Sequence, residues 1–172
     1  MFIPGHLALG YLGAVLHARR LERPPRLRPE VLPAFVGALT PDLIDKPLLL
    51  LGVMSGGRTL GHSVFFLLFT VLLWAVIRRW KDRETAVPFA LWSLGVATHS
   101  VADVLEDATR GFLEGGTLIR SWFAWPFLDR SDWAVPSPEA LWPTSIAVTP
   151  VEILVVVLAL GVAGGYGVRT RS

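Results

Sequence analysis

The chain has 172 residues, 52% of them hydrophobic and only 17% charged, with no cysteine and a formal net charge of +2. A soluble domain carries about 25% charged residues, so this shortage of charge excludes a disordered chain, and the missing thiols exclude a disulfide scaffold or a thiolate zinc finger. The near balance of charge argues against nucleic acid as a partner, and the composition predicts an integral membrane protein.

Five apolar stretches are read in chain order, over residues 2–16, 31–53, 63–77, 87–104 and 151–168. They predict an all-α integral membrane bundle of four or five short helices, forming one domain over 1–172. The first stretch has no basic segment before it and is expected to be retained. The second contains Pro33, Pro41, Asp42, Asp45, Lys46 and Pro47. A broken helix is expected there, near 41–47, buried against protein or lining a polar cavity. The third spans 15 residues, or roughly 22 Å at 1.5 Å per residue, short of the ~30 Å hydrocarbon core. Extension into flanking residues or local thinning of the bilayer is therefore expected. The fifth ends in Gly161, Gly164, Gly165 and Gly167, read as a small-residue packing face.

The loops between these stretches differ in charge. Arg19, Arg20, Arg23, Arg26 and Arg28 follow the first, Arg78, Arg79, Lys81 and Arg83 follow the third, and Arg169 and Arg171 follow the fifth. Alternating spans put these eleven basic residues on one side with four acids, and leave five basic and ten acidic residues on the other. The positive-inside rule makes the first side cytoplasmic, with the N-terminus outside and the C-terminus inside. The connection over 105–150 then lies outside. It holds Trp122, Trp125, Trp133 and Trp142, and tryptophan favours the headgroup level, so this segment is expected along the outer membrane surface.

Ionisable residues inside apolar helices are costly and face the bundle interior or a cavity. In this topology His6, Asp42, Asp45, Arg58, His62, His99 and Asp103 all fall toward the outer end. His99 and Asp103 are four apart and share a helix face. An isolated pair of that kind is more often an aspartate orienting a histidine. Further histidines and aspartates at the same depth reverse that preference toward a metal site, with nitrogen and carboxylate ligands of the kind zinc accepts. Asp42 and Asp45 follow Pro41. One is expected to ligate, with Asp42 preferred, while the other caps the next helix or acts as general base. Arg58 is either a loop cation or a planar fork for a carboxylate or phosphate. His17 lies toward the opposite end and is given no role.

The ordered set of Gly5-His6, Pro41-Asp42-Leu43-Ile44-Asp45, Arg58-Thr59-Leu60-Gly61-His62-Ser63, His99-Ser100-Val101-Ala102-Asp103 and Trp125-Pro126-Phe127 resembles the YdjM-like family of membrane-bound, metal-dependent hydrolases of bacterial and archaeal membranes. Two positions depart from that pattern. A histidine usual before the arginine is Gly57 here, and Asp42 and Asp45 stand one residue further apart than in the usual Pro-Asp-x-Asp. A more distant likeness is to the helical zinc-dependent phospholipase C and single-strand nuclease fold. It implies that Asp42, His62, His99 and Asp103 hold one metal, and that His6 and Asp103, with the Met1 amino end as a further candidate, serve a second. No histidine follows His99, so the third metal of that fold is not expected.

The resulting expectation is a hydrolase with one or two divalent ions, zinc by preference, at the outer face of a prokaryotic plasma membrane. Zinc lowers the pKa of a water it holds to about 7. Asp45 is expected as general base and Arg58 as the cation that steadies an anionic transition state. The substrate expected at headgroup depth is a lipid or lipid-linked phosphoester. The rival readings are a non-catalytic membrane protein whose polar cluster is a metal staple or salt-bridged network, and a small transporter. Clustering at one face counts against the transporter, whose polar groups belong near the midplane.

Overall fold

A computed structural model describes residues 3–22, 25, 27–54, 57–114, 126 and 150–169. Among these residues every regular element is helical. They are α1 (Ile3–Arg19), a π-helical turn (Leu27–Val31), α2 (Leu32–Leu50), α3 (Val64–Trp80), α4 (Arg83–Glu114) and α5 (Pro150–Arg169). The five apolar stretches thus each become one helix.

α2 corrects the expected break. It is continuous through Pro41 and Pro47. Each proline withdraws an N–H and would cost about 3 kcal/mol in an isolated helix. Proline's own φ is helical, however, and α2 lies against α4 more extensively than any other pair of helices meets. Pro33 is in the first turn, where a missing donor costs nothing. Two residues after α2 ends, Gly52 adopts φ +68°. There the amide of Gly52 donates to the carbonyl of Leu49 at 3.0 Å and that of Val53 to Leu48 at 2.9 Å. This left-handed turn closes the helix and sends the chain back toward residue 62.

α3 starts at Ser63, whose hydroxyl accepts from the amide of Phe66 at 3.2 Å. Before α4, Asp82 accepts from the amide of Thr85 at 2.8 Å and from its hydroxyl at 3.1 Å. Neither Asp42 nor Asp45 caps a helix, contrary to one expectation; both lie inside α2.

The core is built of small side chains. Ala14, Val31, Ala34 and Leu91 form its centre, with Tyr11, Phe35 and Val87 against it. α2 and α4 approach so closely that a Cβ on Gly37 would collide with the Trp92 carbonyl, and one on Gly95 with the Ala34 carbonyl. Close backbone approach suits an apolar bundle, where small residues let dispersion contacts and hydrogen bonds form between helices. Two such bonds lie in this part of the bundle. The indole of Trp92 donates to the Thr40 hydroxyl at 2.9 Å, and the Ser93 hydroxyl donates to the Thr70 carbonyl at 2.9 Å. α3 flanks α4, and α5 flanks α1. Gly161, Gly164 and Gly165 on α5 meet nothing among the described residues, so they form no packing face with those residues.

Among the described residues, no helix is long and apolar enough to cross a membrane. α3 is apolar but has 17 residues, or roughly 25 Å. α2 carries Asp42, Asp45 and Lys46 within its length. Large apolar side chains nevertheless face outward, including Leu72 on α3 at 63% exposure and Leu160 on α5 at 67%. α4 runs to Glu114. It therefore takes up the first part of the segment expected along the surface, because the helical pattern does not stop at Asp103. The rest of that segment, with its four tryptophans, lies outside the described residues apart from Pro126 and Pro150.

Candidate metal centre

Four segments bring their polar residues to one end of the bundle. His6 comes from the first turns of α1, Asp42 and Asp45 from α2, Arg58 and His62 from the loop before α3, and His99 and Asp103 from α4. His6, Asp45, His62, His99 and Asp103 are each 2% exposed or less. His17, given no role, sits at the other end with its Nε2 3.9 Å from the buried Glu30.

The two central imidazoles are held from behind. His99 Nδ1 donates to the Ala38 carbonyl at 2.6 Å. A carbonyl only accepts, so the hydrogen of a neutral His99 is on Nδ1. His62 Nδ1 donates to Asp45 Oδ2 at 2.8 Å. Both rings therefore turn Nε2 inward, and the two Nε2 atoms stand 3.1 Å apart. Two inward lone pairs at that distance repel unless a cation lies between them. Burial opposes a charge on His62, but the carboxylates of Asp103 and Asp45 outweigh it and raise its proton affinity above that of an ordinary histidine. A metal taking this place would displace that proton.

Carboxylates complete the ring. Asp103 Oδ2 is 3.4 Å from His62 Nε2 and 3.6 Å from His99 Nε2, and Asp42 Oδ1 is 3.7 Å from His62 Nε2. Ligand atoms bound at 2.0–2.2 Å around a tetrahedral ion stand about 3.3–3.6 Å apart. The observed spacings match such an edge. His62, His99 and Asp103 offer donors that lie within 4.8 Å of one another, and so do His6, Asp42 and His99. His6 stacks on His99 with centroids 3.8 Å apart. Its Nε2 faces Asp103 Oδ1 at 3.5 Å, and its Nδ1 is buried without a hydrogen-bond partner. An orphaned buried nitrogen beside this donor set fits a metal site better than a closed hydrogen-bond network.

Asp45 stands differently from the sequence expectation. Its Oδ2 accepts from the Thr59 amide at 2.6 Å as well as from His62, and its Oδ1 accepts from the Gly61 amide at 2.8 Å. With both oxygens engaged and the residue 0% exposed, it cannot collect a proton from a substrate water. It orients the His62 ring. Arg58 Nε lies 3.1 Å from Asp103 Oδ2, with its side chain 31% exposed. Asp42 Oδ2 is taken by Lys46 at 2.8 Å, which leaves Oδ1 for the centre.

Sequence reasoning missed the backbone groups that set this geometry: the amides of Thr59 and Gly61 and the carbonyl of Ala38. Gly61 was the available signal. A Cβ there would press on the backbone of Pro41, and only glycine lets the loop come close enough for its amide to reach Asp45. Replacement of Asp45 by asparagine is expected to lower metal affinity by roughly 10–100-fold, the usual effect of losing the partner behind a metal-bound histidine. Zinc titration of the variant checks this, and an unchanged affinity would show that the ring is held by other contacts.

Neither a search of curated proteins nor a search of solved structures found a match. The model of one family, described as YdjM inner membrane protein, matches residues 1–170. With nearly the whole length covered by that match, the chain belongs to the YdjM inner membrane protein family.

Proposed function

We propose that this protein is a divalent-metal-dependent hydrolase embedded in the inner membrane, acting on a phosphoester of a lipid or lipid-linked substrate. The carrying observation is the pair of inward Nε2 atoms of His62 and His99, 3.1 Å apart and ringed by carboxylates. In this reading His62, His99, Asp103 and Asp42 hold one ion, and His6 with Asp103 Oδ1 is available to a second. Zinc suits this set of nitrogen and oxygen donors. A divalent ion here supplies Lewis acidity toward water and a phosphoryl oxygen.

The chain's own residues divide the remaining work. Asp45 and the Ala38 carbonyl fix the two rings in the tautomer that leaves Nε2 free. Arg58 positions Asp103 and, being partly exposed, offers positive charge to an anionic substrate. No general base is assigned to Asp45. The outward apolar side chains of α3 and α5 support contact with lipid tails, and the basic residues at the opposite end support a cytoplasmic placement of that end. Helices this short imply local thinning of the bilayer. A reporter fused after Ser172 is expected to be active only in the cytoplasm, and periplasmic activity would reverse the orientation.

The close pairing of Arg58 with Asp103 favours one rival, a polar cluster that only holds the helices together. Metal analysis and a phosphate-release assay on lipid phosphoesters in vesicles separate the readings. The hydrolase reading expects bound metal and release that stops with a chelator and returns with zinc. Bound metal without release would leave a structural staple, and no bound metal would leave a salt-bridged network.

A further inference from the structure

The end of the bundle away from the metal centre carries a feature that hydrolysis does not use. The first half of α2, the second half of α3 and the first half of α4 leave an open groove of about 430 Å³ between them, lined by Leu32, Val36, Leu73, Pro88, Phe89 and Trp92 among others. The Trp92 N–H is turned away to Thr40, so the indole presents only carbon to the groove. The chain directions place the groove: α2 and α4 reach the metal centre later in their sequence, and α3 starts from it.

The turn that joins α3 to α4 lies at this same end. It carries Arg78, Arg79, Lys81 and Arg83, all exposed. No carboxylate among the described residues forms an ion pair with any of the four. Of the two acids in the turn, Asp82 already has both oxygens engaged by Thr85. Leu73 lies seven residues before the end of α3, and Pro88 to Trp92 lie five to nine residues after the start of α4. The groove thus begins roughly 7–10 Å below the cations at the helical rise of 1.5 Å per residue. An apolar slot under four cations without a carboxylate partner among the described residues, of which only Arg79 has another contact, 5.9 Å over the Trp80 ring, is complementary to a molecule with an anionic head and a long apolar tail.

We propose that this groove binds one anionic phospholipid of the cytoplasmic leaflet, with an acyl chain along Val36, Leu73 and Trp92 and the phosphate head on Arg78, Arg79, Lys81 and Arg83. The inference rests on the membrane placement proposed above and not on hydrolysis. Juxtamembrane cations recognise anionic lipid heads by charge, and the slot adds selectivity for a single bound molecule over the general lipid shell. Arginine's planar fork suits a phosphate.

The full chain, purified in detergent, is titrated with dioleoyl phosphatidylglycerol or dioleoyl phosphatidylcholine, and retained lipid is counted by native mass spectrometry. One phosphatidylglycerol per chain is expected, retained about tenfold better than phosphatidylcholine. Val36→Phe, which fills the slot, should reduce retention of both lipids. The combined Arg78→Gln, Arg79→Gln, Lys81→Gln and Arg83→Gln variant should retain the two lipids equally. All four positions are exposed, so this variant carries the test if Val36→Phe fails to fold. Equal retention by the unaltered chain, or a phosphatidylglycerol preference that survives the loss of all four cations, would overturn the proposal. Metal content is measured on the same preparations. Equal retention of the two lipids by the unaltered chain with metal intact counts against the groove alone, and recovery of the chain in the soluble fraction of cells would count against the membrane placement.

Discussion

His99→Ala is expected to strip the metal and abolish any hydrolysis together. His99 is the residue common to both groups of potential ligands, and no other histidine can replace it. His62 is already part of the centre, His6 is stacked on the lost ring, and His17 lies at the far end. The loss should exceed the roughly 10–100-fold seen when only an outer partner of a metal-bound histidine is removed. The variant should still insert, because the lost ring leaves the closest contacts of α2 and α4, at Gly37 and Gly95, in place. Full metal and activity in His99→Ala would refute the ligand assignment.

Arg58→Ala is the informative contrast. Arginine does not ligate, but its Nε holds Asp103 at 3.1 Å, so metal affinity should weaken moderately. The decisive measurement is turnover at saturating zinc. If Arg58 also steadies charge on the substrate, turnover stays down by roughly 10²–10³-fold, the effect of losing one donor to a developing anion. Full recovery with excess zinc would confine Arg58 to supporting Asp103. Lysine at this position should restore little, because it lacks the planar fork.

The second large effect is expected at a residue outside the ligand set, with Gly37→Ala. In an exposed helix this change would stabilise by about 1 kcal/mol, since alanine is the better helix former. Here the new methyl would collide with the Trp92 carbonyl. A backbone atom cannot swing aside as a side chain can, so α2 and α4 must separate. Overpacking of that kind costs about 1–3 kcal/mol and sometimes more, which outweighs the helical gain. Separation would also stretch the bond from His99 to the Ala38 carbonyl, one residue along α2 from Gly37. Thermal unfolding in detergent should shift down and zinc affinity should fall with it. An unchanged midpoint would mean that the two helices have room to adjust.

The sequence by itself determined the helical class and the order of the helices, and left their number at four or five, because each apolar run is bounded by charges or loops that end it. It also determined which residue types could meet. His6, Asp42, His62, His99 and Asp103 stand out because ionisable groups in apolar runs are costly and need a reason to be there. What it did not determine was the path of α2. Three prolines within 15 residues argue for a break by local preference, and only the contact with α4 along its length decided for one continuous helix. The sequence preferred Asp42 as the ligand only weakly over Asp45, and it did not show what surrounds Asp45. Both lie in the same helix three residues apart, and by chemistry alone either can ligate. The loop from Arg58 to His62 settles the difference by aiming two backbone amides and an imidazole at Asp45, which leaves one oxygen of Asp42 facing the centre. Side-chain chemistry is local and can be read from a string of residues. The backbone donors and close glycine contacts that direct it come from segments distant in sequence, and they exist only once the helices have packed.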